Sequence, residues 1–154
     1  MKMSMNSQST MQPENMMYDL SRFHAAQKRD YQTALSEIRN GRKRSHWIWY
    51  IFPQIAGLGF SSTSQFYAIK DMDEAREYLK DPVLKAHLEE ISSALLELDS
   101  SNPSSVMGYP DDLKLCSSMT LFEAADPECS IYPAVLDKFF NGKRDQATLD
   151  ILGI

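Results

Sequence analysis

The sequence predicts an all-α protein that folds as a single compact multihelical domain. Its apolar residues recur at intervals of three and four over several segments, which is the spacing of one face of an α-helix. No two alternating, strand-like runs are joined by a hairpin turn. The length of 154 residues suits one domain, and 43% hydrophobic residues supply enough apolar surface for one core.

The first predicted helix begins after Asp19, which suits an N-cap, and ends at Gly41. The sequence near Arg29 and Asp30 leaves open one continuous helix or two shorter ones. The predicted core face of this segment consists of Leu20, Phe23, Gln27, Tyr31, Leu35 and Ile38.

Two further helices follow in the middle of the chain. A short one begins at Asp73 and carries Ala75, Tyr78 and Leu79. The longer one begins at Asp81-Pro82 and ends at the polar cluster of residues 99–103. Its apolar positions lie at successive spacings of four, three, four and three, which predicts a core helix: Leu84, Leu88, Ile91, Leu95 and Leu98.

Three later segments complete the predicted domain, which spans residues 18–154. The apolar residues of the first two are Leu115, Met119 and Phe122, and then Ile131, Val135, Leu136, Phe139 and Phe140 before Asn141-Gly142. The tail from Asp145 to Leu152 adds one or two turns. Residues 1–17 are rich in Met, Ser and Gln and lack the apolar region of a signal peptide, so we expect a disordered leader.

Composition excludes several classes of function. No apolar run approaches the roughly 20 residues that cross a bilayer, and the formal charge of −5 gives no overall attraction to nucleic acid. Cys116 and Cys129 lie thirteen positions apart, without a nearby histidine at ligand spacing. We therefore expect a soluble, cytoplasmic protein with neither metal nor cofactor and no membrane partner, in which any binding of nucleic acid is local rather than due to overall charge.

Residues 38–70 contain both tryptophans and no acidic side chain, although the chain has 21 acids and 16 bases. Cations, aromatic rings, an amide and two closely spaced glycines occur together there. Guanidinium and ammonium groups neutralise phosphate, aromatic faces stack on planar groups, and glycines let backbone amides approach a ligand. The segment therefore predicts a site for a flat, anionic ligand.

Each candidate in this segment also has a structural interpretation. Arg42, Lys43 and Arg44 either grip phosphate or are a solvated triplet at a helix C-terminus. His46 is either a packed turn residue or, held neutral by the nearby cations, a base. Trp47 belongs to an apolar run in which at least two aromatic residues are expected in the core.

The following turn combines an amide with glycines. Gln54 is either a brace for the backbone or a ligand contact, since its amide needs several hydrogen-bond partners. Gly57 and Gly59, followed by Ser61, resemble a glycine turn that opens a helix and favours anions. The spacing matches neither the dinucleotide fingerprint nor the P-loop, so the loop has no established class.

A second polar cluster covers residues 111–120. Lys114, Ser117 and Ser118 are spaced three and four apart and share one helix face, with Asp111 or Asp112 as the N-cap. If this face meets the loop around His46, the two form one pocket; otherwise the segment is a capped amphipathic helix. A serine nucleophile is not indicated, because neither Gly-x-Ser-x-Gly nor Ser-x-x-Lys is present.

Four ordered blocks of the chain resemble the signature of the domain-of-unknown-function family 1810. The blocks are residues 41–59, 66–69, 112–122 and 136–142, and the resemblance covers roughly residues 18–153. It implies a small, compact, multihelical fold and no established reaction. Some members carry the label calpastatin, but such an inhibitor is expected to be largely disordered, whereas this chain has a periodic hydrophobic core.

An analogy with helical proteins that process NAD or ADP-ribose supplies a ligand class. By this analogy, Arg42, Lys43 and the backbone of Gly57 and Gly59 hold a pyrophosphate, and Trp47 or Tyr67 stacks on a base. The residues expected to face the reacting sugar, and thus the catalytic candidates, are His46, Gln54 and Lys114, with Asp111 or Asp112 as a carboxylate.

We therefore expect a protein of uncharacterised function that binds, and by this analogy hydrolyses, a small nucleotide-like anion such as an NAD or ADP-ribose derivative. The expected ligand contacts also include Ser61, Ser117 and Ser118. Two alternatives stay open: a non-enzymatic protein-interaction module, and a groove for single-stranded nucleic acid.

Overall fold

Two long helices pack against each other through their apolar faces. In the computed structural model, which describes residues 18–154, helix α1 spans Ser21–Arg39 and α5 spans Pro82–Leu96. They pack together through Tyr31, whose ring stacks on His87 with centroids 3.7 Å apart. Gln27 of α1 is buried between them, where its amide donates to the Tyr50 carbonyl and Tyr78 hydroxyl and accepts from His87.

Nine helices and no strand occur within the described residues, so the all-α prediction is confirmed. The remaining helices, in chain order, are α2 (Ile48–Ile51), α3 (Ser62–Tyr67), α4 (Met72–Lys80), α6 (Pro103–Met107), α7 (Asp111–Ala125), α8 (Ile131–Phe140) and α9 (Gln146–Leu152). One isolated parallel bridge joins Ile55 to Ile69. None of the helices described is long and apolar enough to cross a membrane.

Helix α7 lies at the centre of one continuous core. Its Phe122 ring contacts Tyr78 of α4, with centroids 5.2 Å apart, and Tyr132 of α8, with centroids 6.1 Å apart. Burial of such rings removes apolar surface from water and is the main source of stability. The same helix therefore fixes the positions of α4, α8 and the polar residues at its own start.

The structure corrects several predicted helix boundaries. Helix α1 is continuous through Arg29 and Asp30, and its N-cap is Leu20 rather than Asp19. Helix α7 has Pro110 at the N-cap position, so neither Asp111 nor Asp112 caps it. The predicted cap at Asp81 is confirmed, since its carboxylate accepts from the amides of the next turn.

Other differences concern short elements. Helix α5 ends at Leu96, and Leu98 packs against the core from the following turn. Helices α2 and α6 have four and five residues, too few for periodicity to reveal them. The predicted leader, residues 1–17, lies outside the described residues.

Candidate functional site

The basic segment after α1 folds around a carboxylate of that helix. The backbone reverses at Gly41, which has a φ of 84°. Glu37 then accepts hydrogen bonds from the Arg44 amide at 2.8 Å, the Ser45 amide at 3.0 Å, the Ser45 hydroxyl at 2.6 Å and the Trp47 indole at 2.9 Å. Burial alone raises the pKa of Glu37, but these bonds outweigh it and lower the pKa to about 2. Residues 44–47 are therefore held in one conformation.

The next segment forms a loop that closes on itself. The Ile69 amide donates to the Gln54 carbonyl and the Ala56 amide donates to the Ile69 carbonyl, both at 2.8 Å. At the tip, a Cβ on Gly59 would lie 2.6 Å from the Cβ of Ser64, so only glycine fits there. Ser61 caps α3 by accepting from the Ser64 amide at 3.1 Å.

This loop encloses a cleft of about 90 Å³ that opens to solvent. The wall of the cleft combines aromatic rings, side-chain amides and the backbone of glycines. Its lining residues include Trp49, Gln54, Gly57, Gly59, Ser64, Gln65 and Tyr67.

The cleft continues toward the start of α7. A second space of about 190 Å³ shares Gln54, Gly59 and Ser64 with the first. Its other lining residues are Leu58, Pro110, Leu113, Lys114 and Ser117. We call the two spaces together the groove. It lies between the loop of residues 54–68 and the first turns of α7.

One side chain lining the groove, Lys114, is charged at neutral pH. Its Nζ lies 3.4 Å from Oδ1 of Asp111 and 5.4 Å from the centre of the Trp49 ring. The other carboxylate oxygen of Asp111 pairs with Nζ of Lys43 at 2.8 Å. Two lysines therefore share one carboxylate, and the three groups carry a net charge of +1.

Six of the predicted site residues line the groove: Gln54, Gly57, Gly59, Tyr67, Lys114 and Ser117. The Gln54 side-chain amide has no hydrogen-bond partner among residues 18–154. The single hydrogen of the Ser117 hydroxyl is occupied, because two acceptors share it: the Leu113 carbonyl at 3.1 Å and the Asp145 carboxylate at 3.0 Å. The structure thus brings the two polar clusters of the sequence together.

The other predicted residues lie elsewhere. His46 is exposed and lines neither space of the groove, and Trp47 is 1% exposed inside the core. Ser118 is fully buried, and its hydroxyl has no partner within the described part of the chain. Ser61 is engaged as the cap of α3. Arg42 and Lys43 line a different cavity, described below.

Among residues 18–154, no three His, Cys, Asp or Glu side chains come together as a metal site requires. The groove offers amide, hydroxyl and ammonium groups instead. Groups of these types can form hydrogen bonds to a ligand, and the ammonium group adds one positive charge.

Comparisons with known proteins agree with this fold. A family model described as "Protein of unknown function (DUF1810)" matches residues 17–152. The chain belongs to this family. The resemblance drawn from the four sequence blocks is therefore confirmed.

One solved structure is similar to the DUF1810 fold seen here over most of its length. It is the crystal structure of the conserved hypothetical protein Rv1873 from Mycobacterium tuberculosis, with 39% sequence identity and a TM-score of 0.87. The match covers 90% of this chain and 99% of that chain. No curated protein matches. Neither description names a reaction or a ligand.

Sequence reasoning about this DUF1810 chain missed Trp49 and Glu37. Trp47 and Trp49 are two positions apart, and residues two apart on a helix point in different directions. Once α2 is known to be helical, one tryptophan must face the core and the other the groove. Glu37 lies one residue before the acid-free stretch, so its contacts depend on a reversal that the pattern does not show.

Proposed function

We propose that the groove binds a small planar ligand that carries an anionic group, as nucleotide-like molecules do. The observation that carries this proposal is that Gln54 and Lys114 line the same solvent-open space. Among residues 18–154, the Gln54 amide has no hydrogen-bond partner and no carboxylate lines the groove. Groups that converge in this way in a concave site are typical of ligand recognition.

The aromatic side chains suit a planar ligand. Trp49 lies at the groove with its ring near Lys114. Tyr67 packs on the Tyr50 ring, with centroids 5.0 Å apart, and so presents a fixed surface to the groove. Rings held in this way stack on a base or a similar flat group without a large loss of side-chain entropy.

The proposal is confined to binding. Of the catalytic candidates, His46 lies outside the groove, and Asp111 is held by two lysines. A general base needs an acceptor within hydrogen-bond reach of the ligand. The carboxylate of Asp111 instead fixes Lys43 and Lys114.

A thermal-shift screen tests the proposal. The panel contains NAD, ADP-ribose, mononucleotides, sugar phosphates and inorganic phosphate. A ligand at about a hundred times its Kd stabilises the fold by roughly 2.7 kcal/mol, which raises Tm by several degrees. We expect Lys114→Met to lose most of this shift, and Lys28→Met, an exposed lysine of α1, to keep it.

Fluorescence gives an independent readout. Ligand in the groove should quench Trp49, so Trp49→Phe should abolish the signal while Trp47→Phe preserves it. If no compound in the screen raises the Tm of the folded wild type, the proposal is contradicted. A thermal shift that Lys114→Met and Gln54→Ala both leave unchanged would contradict it as well.

One observation favours a second candidate function, a protein-interaction surface. Of the seven exposed large apolar side chains in residues 18–154, six lie on three segments that border the groove or adjoin its lining residues: Phe60 and Phe66, Tyr109 and Leu113, Ile151 and Ile154. A Cβ added to Gly57 would lie 3.2 Å from Cδ1 of Ile151. Clustered exposed apolar residues mark binding surfaces for proteins.

Paired variants separate the two functions. Phe60→Ser with Phe66→Ser should abolish binding to a purified partner and leave a ligand-induced shift in place, whereas Lys114→Met should do the reverse. Val83→Ser, an exposed apolar residue of α5, is the control. Binding to single-stranded nucleic acid would instead be recognised by a steep loss of affinity with salt.

A further inference from the structure

A second cavity, whose lining includes Lys43, lies outside the groove. It has a volume of about 410 Å³ and is open to solvent. Its lining consists of Arg42, Lys43, Ser104, Ser105 and Gly108, none of which lines the groove. The cavity therefore joins the segment after α1 to helix α6.

The backbone that carries its cations is fixed at both residues. The Arg42 amide donates to the Glu37 carbonyl at 3.1 Å, and the Lys43 amide donates to the Val106 carbonyl at 2.7 Å. Both side chains therefore project from an anchored segment. A basic triplet on a freely solvated turn lacks such anchors.

The carboxylates near the cavity are already occupied. Asp111 pairs with Lys43, and Asp112 is buried and accepts from the Ser104 hydroxyl at 2.9 Å. The Arg42 guanidinium has no acceptor among residues 18–154 and is exposed to solvent. The site thus retains an unneutralised positive charge with five donor hydrogens in a planar fork.

The remaining lining groups suit a small ligand with several acceptor oxygens. The Ser105 hydroxyl has no hydrogen-bond partner within the described residues. Gly108 has a φ of 79°, and no atom lies within 4 Å of the position that a Cβ would occupy. A ligand can therefore approach the backbone there without a clash.

We propose that this cavity binds a phosphoryl group, either free phosphate or the phosphate of an ester. Arg42 holds two of its oxygens through the guanidinium fork and Ser105 donates its hydroxyl to a third, while the ammonium group of Lys43 in the wall is paired with Asp111 at 2.8 Å. Arginine matches phosphate in this bidentate way better than lysine does. The site is distinct from the groove, and its test does not require a groove ligand.

Amide resonances of the ¹⁵N-labelled full chain test the proposal during titration with inorganic phosphate at constant ionic strength. We expect saturable shifts at Ser104, Ser105 and Gly108 with a Kd in the millimolar range. Arg42→Gln should weaken binding about fivefold or more, and Arg42→Lys should fall between it and the wild type. A parallel titration uses glycerol phosphate, which is a phosphate ester. The probe with the lower Kd shows whether the cavity prefers an ester or free phosphate.

Arg44 provides the matched control. It belongs to the same basic triplet and is exposed, but it does not line the cavity. Arg44→Gln should leave the phosphate Kd within about twofold of the wild type. If Arg42→Gln and Arg44→Gln weaken phosphate binding equally, the effect is one of general charge and the proposal is overturned. Chemical shifts that do not saturate, or that also occur with chloride, would overturn it as well. A melting curve of each variant establishes that it is folded.

Discussion

Glu37 shows how one side chain organises a loop that sequence composition describes only as basic. Its carboxylate gathers two backbone amides, a hydroxyl and an indole from residues 44–47. Hydrogen bonds to an ionised acceptor are stronger than those between neutral groups. The conformation of the basic segment therefore depends on the negative charge of Glu37. The hydrogen bond from the Trp47 indole to this carboxylate also holds Trp47 in the core.

Loss of this charge should destabilise the protein in a pH-dependent way. Because the pKa of Glu37 is about 2 in the fold and near 4.5 when unfolded, the unfolded chain binds more protons between these values. The stabilisation is thus complete above about pH 4.5 and is lost as the pH falls toward 2. Glu37→Gln should lower the free energy of unfolding at pH 7 by about 2 kcal/mol, allowing for partial exposure.

Urea denaturation at pH 7 and at pH 3 measures this difference. The gap between wild type and Glu37→Gln should narrow at pH 3, whereas Glu128→Gln, at an exposed loop carboxylate, should show little effect at either pH. A gap of the same size at both pH values would contradict the role given to the Glu37 charge.

Among the predicted site residues, those whose type is unusual for their surroundings lie at the groove. Glycine at position 59 and an amide at position 54 are unusual in an apolar turn, and both lie at the groove. The sequence was less informative for His46, because the direction of an exposed side chain depends on a loop conformation that no periodic pattern encodes. The chemical type of a groove residue could therefore be predicted better than the direction of an exposed side chain.

Among the elements, the long helices could be predicted from periodicity and caps together. Helix α5 begins where Asp81 caps it before Pro82, and α8 ends at Asn141, which adopts a left-handed φ of 54°. Helices α2 and α3 are too short for a periodic signal, yet they form two walls of the groove. The site therefore depends most on the elements that sequence predicts least well.

The contact between the loop tip and α3 gives a test at this scale. Gly59→Ala should destabilise the protein by about 1 to 3 kcal/mol, because the added methyl group would lie 2.6 Å from the Ser64 Cβ. Ser64→Gly removes the obstructing atoms, at the cost of a flexible residue in α3.

A double-mutant cycle on these two positions measures their interaction by urea denaturation. We expect the combined variant to be more stable than the sum of the single effects predicts. Additive effects would mean that the loop tip relaxes away from α3 without resistance.

In the whole molecule, Phe122 connects α7 to both α4 and α8. Phe122→Ala should lower the free energy of unfolding by about 3 to 5 kcal/mol, since it leaves a cavity beside two aromatic rings. Phe60→Ala, at a side chain that is 85% exposed, should change it by about 0.5 kcal/mol or less. Chemical denaturation of both variants compares the core with the surface. Similar losses for the two would contradict a core centred on α7.

The contact between the two polar clusters depends on the fold of the whole chain. The sequence left this contact open as one of two possibilities. Residues 42–62 and 111–120 are far apart in sequence, and spacing within each segment cannot show that they pack together. The structure joins them through Asp111, which pairs with Lys43 on one side and Lys114 on the other. The charge balance of the groove follows from this long-range contact.

Asp111 places one carboxylate between the two cavities, since it pairs with Lys43, which lines the second cavity, and with Lys114, which lines the groove. If anions bind at both places as proposed, each would compete with Asp111 for one lysine, and a lysine released by one anion would leave the carboxylate to the other lysine alone. Linkage then requires that each anion weaken the binding of the other by the same factor. Two anions bound at separate places would thus compete through a single shared carboxylate.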